Sequence, residues 1–136
     1  MNKLEYITGD LVMVKKSALQ FAKDKIFKVI SSLSGGFVKV VMLNDSSTTY
    51  SISNNAIRPI PLTSEILEKN GWKDDGYDWY RLPTKRAYLY ITKDTTTLGE
   101  FLVCVGLDRH NLASINFVHQ LQHILFGLNI NHKMEV

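Results

Sequence analysis

A chain of 136 residues, 45% apolar and 21% charged, has the composition of a globular protein with a real core, in one domain of ordinary size or two very small ones. No apolar run approaches the roughly 18 residues of a membrane span, and Met1 to Asp10 lacks the apolar stretch of a signal peptide, so a cytoplasmic protein with no membrane partner is expected. The net charge of +3 is unevenly placed: residues 1–61 carry eight Lys or Arg against four acids (+4), and residues 62–136 carry eight against nine (−1).

The N-terminal half has the pattern of short strands broken by turns. Leu11–Val14 follows Gly9-Asp10, Ile26–Ile30 precedes Ser34-Gly35-Gly36, Phe37–Leu43 runs into Asn44-Asp45, and Thr48–Ile52 ends at Asn54-Asn55. Ile57–Pro61 completes the set as an edge strand, because proline lacks the donor that an interior strand needs. Their order resembles an SH3-like five-stranded β-barrel over residues 1–61, an architecture that binds peptides, nucleic acids or neighbouring domains and selects none of them by itself. Most of the basic excess lies in Lys15, Lys16, Lys23, Lys25 and Lys28. Such a cluster is either a solvated surface or a track for phosphates.

Residues 62–72 encode a complete short helix. Thr63 is the N-cap, Leu62 and Leu67 are spaced as a hydrophobic staple, and Glu65 sits in the positive first turn. Gly71 supplies the left-handed residue after the helix and sets Trp72 against Leu67. Strands are expected at Tyr77–Leu82, Arg86–Lys93 and Glu100–Gly106, in an antiparallel sheet whose first hairpin turns at Asp74-Asp75-Gly76. These acids lack the alternating oxygen ligands and distant Glu of a calcium loop. Trp79, Tyr80, Tyr88 and Tyr90 alternate sides, so two of them are candidates for an outward platform on which bases stack, against the weightier alternative of packing. The single Cys104, within Phe-Leu-Val-Cys-Val, excludes an internal disulfide, fits a reducing compartment and is expected in the core.

The last helix is expected over residues 116–128, with Asn116 as N-cap. At about 100° per residue, Leu121, Ile124, Leu125 and Leu128 form one stripe, with Val118 at its margin. His119 and His123 fall opposite, near Phe126, as an exposed face for a partner. The two histidines have zinc-protease spacing, but Gln120 stands where the general base Glu belongs and His132 completes no known ligand pattern, so neither a metal site nor a cofactor is expected. Cys104 with His110 lacks an orienting acid, and no P-loop, dinucleotide fingerprint or Gly-x-Ser-x-Gly appears. No catalytic residue is assigned.

Ile60-Pro61-Leu62-Thr63-Ser64-Glu65-Ile66-Leu67-Glu68-Lys69-Asn70-Gly71-Trp72 and Val118-His119-Gln120-Leu121-Gln122-His123-Ile124-Leu125-Phe126 resemble blocks of a family of small uncharacterised proteins of phages and mobile elements in gut bacteria. That resemblance covers most of residues 57–128 and implies an accessory role, with no established activity to transfer. The expectation is therefore an α+β protein: an SH3-like barrel over 1–61, then a module over 62–136 with helices at 63–70 and 116–128 and antiparallel strands within 72–106. Its expected function is non-catalytic. It binds a phage or host protein, or a second copy of itself, through His119, His123 and Phe126; the alternative is nucleic-acid binding through Lys15, Lys16, Lys23, Lys25 and Lys28.

Overall fold

The computed structural model describes residues 6–15, 25–33, 35–84, 88–93 and 99–136. The chain is mixed α+β and divides into two compact units, Met1–Ile60 and Pro61–Val136, each built on a five-stranded antiparallel sheet. No helix among the described residues is long and apolar enough to cross a membrane.

The first unit contains β1 (Leu11–Val14), β2 (Phe27–Leu33), β3 (Phe37–Met42), β4 (Asp45–Ser53) and β5 (Ile57–Pro59), in the spatial order β4-β3-β2-β1-β5. A short 3-10 turn at Asn54–Ala56 leads into β5. Alternation sends Val12, Val14, Phe27, Val29, Val38, Val40, Ile52 and Ile57 to one side, where they form a single buried cluster with Tyr6. Ile52 and Ile57 belong to the two edge strands, so the sheet curls around its own core. It does not close: β4 and β5 do not pair among the described residues, contrary to the expected barrel. A three-residue β5 that ends in Pro59 offers few donors for closure.

Ahead of β1, the turn at residues 6–10 is tied to β2. The Gly9 amide donates to Val29 O (2.8 Å), the Val29 amide to Asp10 O (2.8 Å), and Ser32 Oγ to Tyr6 O (2.9 Å). These bonds hold the Tyr6 ring in the core, where burial and the nearby Asp10 push its hydroxyl up to about 12.

The second unit runs α1 (Ser64–Lys69), β6 (Lys73–Gly76), β7 (Trp79–Leu82), β8 (Leu89–Lys93), β9 (Phe101–Val105), β10 (His110–Ile115) and α2 (Val118–Gly127). Its strands form a meander in the order β10-β9-β8-β7-β6, with Leu89, Ile91, Phe101, Val103 and Ile115 buried on one face. Strands β6 and β10 are absent from the sequence expectation because β6 is polar and exposed and β10 buries only Ile115; pairing with a neighbour, not an apolar pattern, defines them. The first hairpin turns at Tyr77-Asp78, not at Asp74-Asp75-Gly76: both residues have positive φ (55° and 64°), as a type I′ turn requires.

Both helices end in Schellman motifs. After α1, Trp72 N donates to Leu67 O (3.1 Å) and Gly71 N to Glu68 O (3.2 Å), with Gly71 at φ 87°. After α2, Ile130 N donates to Leu125 O (2.8 Å) and Asn129 N to Phe126 O (3.0 Å), with Asn129 in the left-handed position at φ 58°. Thr63 caps α1 as expected, its Oγ1 accepting from Ile66 N at 3.2 Å. The cap of α2 lies one residue later than expected: Phe117 is the N-cap, and Gln120 Oε1 reaches back to accept from Asn116 N (2.8 Å) and Phe117 N (3.1 Å). The glutamine in the place of a catalytic glutamate is therefore a helix-start residue.

Candidate nucleic-acid interface

Pairing in the first sheet carries side chains from distant parts of the sequence onto the face opposite the core. Residues directly opposite each other share a face. Leu11 pairs with Lys28, Lys28 with Val41, Met13 with Arg58, and Ser31 with Lys39. Lys28, Lys39 and Arg58 therefore share the outer face with Met13, Thr49 and Ser51, and with Leu11 and Val41, which flank Lys28 and are buried, so the face is open at its cations and covered between them. Lys28 and Arg58 are exposed and Lys39 half-buried. Lys15, which continues the outward alternation of β1 and whose amide donates to Ala56 O at 2.8 Å, extends this face at one end. None of β1, β2, β3 or β5 contains an acid, and Asp45, at the start of β4, is the one acid in this sheet's strands. Among the described residues, no ion pair engages any of these cations.

The expected lysine cluster is thus partly rearranged. Lys15 and Lys28 join the outer face, Lys25 is exposed ahead of β2 with the opposite alternation, and Lys16 and Lys23 lie outside the described residues. Lys39 and Arg58 were missed because they are separated in the sequence, and only the β2–β3 and β1–β5 registers bring them to Lys28. Basic residues at alternate positions of facing strands are the available signal, and it needs the register to be interpretable.

The aromatic platform expected in the second unit is occupied. Trp79 and Tyr90 meet edge to face (6.3 Å between centroids, 88°), and the Arg109 guanidinium carbon lies 4.6 Å from each ring centre. Arg109 Nη2 also pairs with Asp75 Oδ2 at 3.0 Å, while Arg81 Nε lies 3.7 Å from Asp75 Oδ1. These arginines are neutralised within their own unit and cover the rings. The same surface buries Cys104, whose thiol is pushed up by burial and drawn down by the Arg109 charge.

The expected partner face on α2 is divided. His119 is 1% exposed, which corrects the outward placement; Phe117 stacks on its ring at 6.0 Å and 15°, and His123 meets it edge-on at 5.5 Å. The buried stripe comprises Val118, His119, Leu121, Gln122 and Leu125, rotated from the expected leucine stripe. Returning chain accounts for part of this rotation: Gln122 Nε2 donates to His132 O (3.1 Å), so a polar side chain is satisfied on the buried side. Phe126 remains 58% exposed and packs edge-on against His132, with centroids 5.1 Å apart.

Two open grooves mark the second unit. One of about 280 Å³ borders Leu62, Ser64, Lys93, Glu100 and Phe101, and one of about 460 Å³ borders Asn70, Leu82, Thr84, Asn131 and Lys133. Neither contains histidine or cysteine, and no group of three or more metal-ligating side chains gathers among the described residues. Comparison with family models, with curated proteins and with solved structures finds no match. The class of protein defined here is a two-unit, antiparallel α+β chain with a cationic sheet face.

Proposed function

We propose that this is a non-catalytic binding protein whose first unit holds a nucleic acid on the outer face of its sheet. The carrying observation is the alignment of Lys28, Lys39 and Arg58 on one face of a sheet in which, among the described residues, β1, β2, β3 and β5 carry no acid. Unpaired cations fixed on a sheet neutralise phosphates and release their counterions, which gives affinity without base reading. The meander order and the 3-10 turn before β5 support an SH3-like assignment for this unit, an architecture compatible with such a role. The two sequence blocks support placing the protein in a phage or mobile element, acting in the bacterial cytoplasm.

The test is replacement of all three cations by Gln. Single-strand affinity follows salt with a slope of roughly −0.7 per phosphate contacted, so the triple variant should lower the slope by about 2 and weaken binding at least about tenfold at low salt. Anisotropy of labelled DNA and RNA at several salt concentrations measures both. An unchanged slope sinks the proposal.

A second reading is favoured by Phe126, exposed on α2 beside His132. It gives the second unit a protein partner, of which a second copy is the simplest. Sedimentation over a range of concentrations should then show self-association that Phe126→Asp abolishes; a monomer at every concentration excludes the self-partner.

A further inference from the structure

We infer that the ligand of the first unit is single-stranded nucleic acid, with Phe37 as the residue on which an unpaired base stacks; this rests on the reading of the cationic face given above. Phe37 opens β3 and lies two residues before Lys39, so alternation places both on the outer face. Its ring is 44% exposed, unusual for an aromatic on a strand, and its neighbourhood explains why. Across the sheet its partner on β4 is Ser53, and the next pair is Lys39 with Ser51, so the β4 side offers only small hydroxyl side chains. On the turn side lie Gly35 and Gly36, both with positive φ (79° and 82°); a Cβ built on Gly35 would come 3.9 Å from Phe37 Cδ2. On the β2 side the partner is Leu33, so the exposure of Phe37 lies toward the glycines and serines.

Phe37 also has the right position relative to the cations. Counting pairs along the sheet, Phe37, Lys39, Lys28 and Arg58 occupy successive rows and step sideways from β3 through β2 to β5. With about 3.3 Å per residue along strands and about 4.8 Å between them, the steps are roughly 7, 8 and 12 Å, a diagonal track about 25 Å long with the aromatic at one end. A strand that follows the cations with its phosphates can lay a base on the ring. In a duplex the bases are already stacked on one another, and the ring has nothing to receive. Combining a basic track with an exposed aromatic is how proteins hold single strands without reading sequence. The other candidate aromatics do not serve: Trp79 and Tyr90 belong to the second unit and are covered by Arg109.

The experiment compares three labelled probes of equal length, an oligothymidine, an abasic single strand and a duplex, titrated with the full chain and with Phe37→Ala and Phe37→Trp. Circular dichroism checks that each variant is folded. Wild type should bind oligothymidine more tightly than the abasic strand or the duplex. Phe37→Ala should weaken oligothymidine binding about tenfold and leave the other two unchanged, while Phe37→Trp retains it. Equal affinity for all three probes in wild type, or an oligothymidine affinity unmoved by Phe37→Ala, overturns the role of Phe37 while leaving the cationic face intact. Absence of binding to any probe at low salt overturns both.

Discussion

Phe27→Ala is expected to remove about 3–5 kcal/mol of stability, the range for truncating a fully buried phenylalanine. Its ring is 0% exposed at the middle of the first unit's core and meets Tyr50 edge-on at 6.3 Å. At roughly 0.05–0.15 kcal/mol per residue, a 60-residue unit has only about 3–9 kcal/mol to lose. The variant should therefore leave much of residues 1–60 unfolded at room temperature. Phe27→Leu, which preserves most of the volume, should cost about 1–2 kcal/mol. Lys28 is the next residue on the same strand, so loss of the β1–β2 register at Val12–Phe27 also disperses the cationic face. Urea unfolding, followed by chemical shifts of first-unit amides, measures the effect. A loss below 1 kcal/mol would show that Phe27 does not anchor this core.

Why some features were legible and others not has a consistent physical cause. The α1 segment was readable because every determinant is local: Thr63 caps three residues ahead, and the Gly71–Trp72 closure uses carbonyls within five residues. The four longer first-unit strands were readable because turn residues and alternating apolar residues coincide. The orientation of α2 was not. Periodicity identified the helix, but the identity of its buried side depends on chain beyond it, where the His132 carbonyl satisfies Gln122. Likewise, four aromatics on one sheet suggested a platform, and the side chain that covers two of them arrives from the β9–β10 turn, where Arg109 adopts φ 53°.

The candidate site follows the same rule. A sequence scan weights lysines that are neighbours in the chain, and so selects Lys15, Lys16, Lys23, Lys25 and Lys28. A sheet weights residues that are opposite each other, and so exchanges some of these for Lys39 and Arg58. Local charge density and surface charge density agree on helices with i, i+4 spacing and diverge on sheets, where the partner strand supplies the neighbour.

Asn70 makes the corresponding case for the second unit, and Asn70→Asp is expected to destabilise it by about 3 kcal/mol, with Asn70→Ala costing about 2 kcal/mol. The residue closes α1, and its side chain amide bridges to chain 65 residues away. Nδ2 donates to Ile66 O and to Glu135 O, both at 2.7 Å, and Oδ1 accepts from Glu135 N at 2.7 Å. This reproduces the pairing of one strand residue with another, using a side chain in place of a backbone. Lys69 Nζ adds a bond to Val136 O at 3.0 Å, and Met134 is buried between these attachments and that of Gln122. Alanine removes three hydrogen bonds but lets water reach the freed carbonyls. Aspartate removes both donors and puts a negative oxygen against two carbonyl oxygens, so it should be worse at neutral pH and partly recover in acid, where the protonated carboxyl donates once. Hydrogen exchange at the Glu135 amide, together with urea unfolding of both variants, tests this ranking. If Asn70→Asp is as stable as wild type, or Glu135 remains equally protected in it, the bridge does not hold the C-terminal segment.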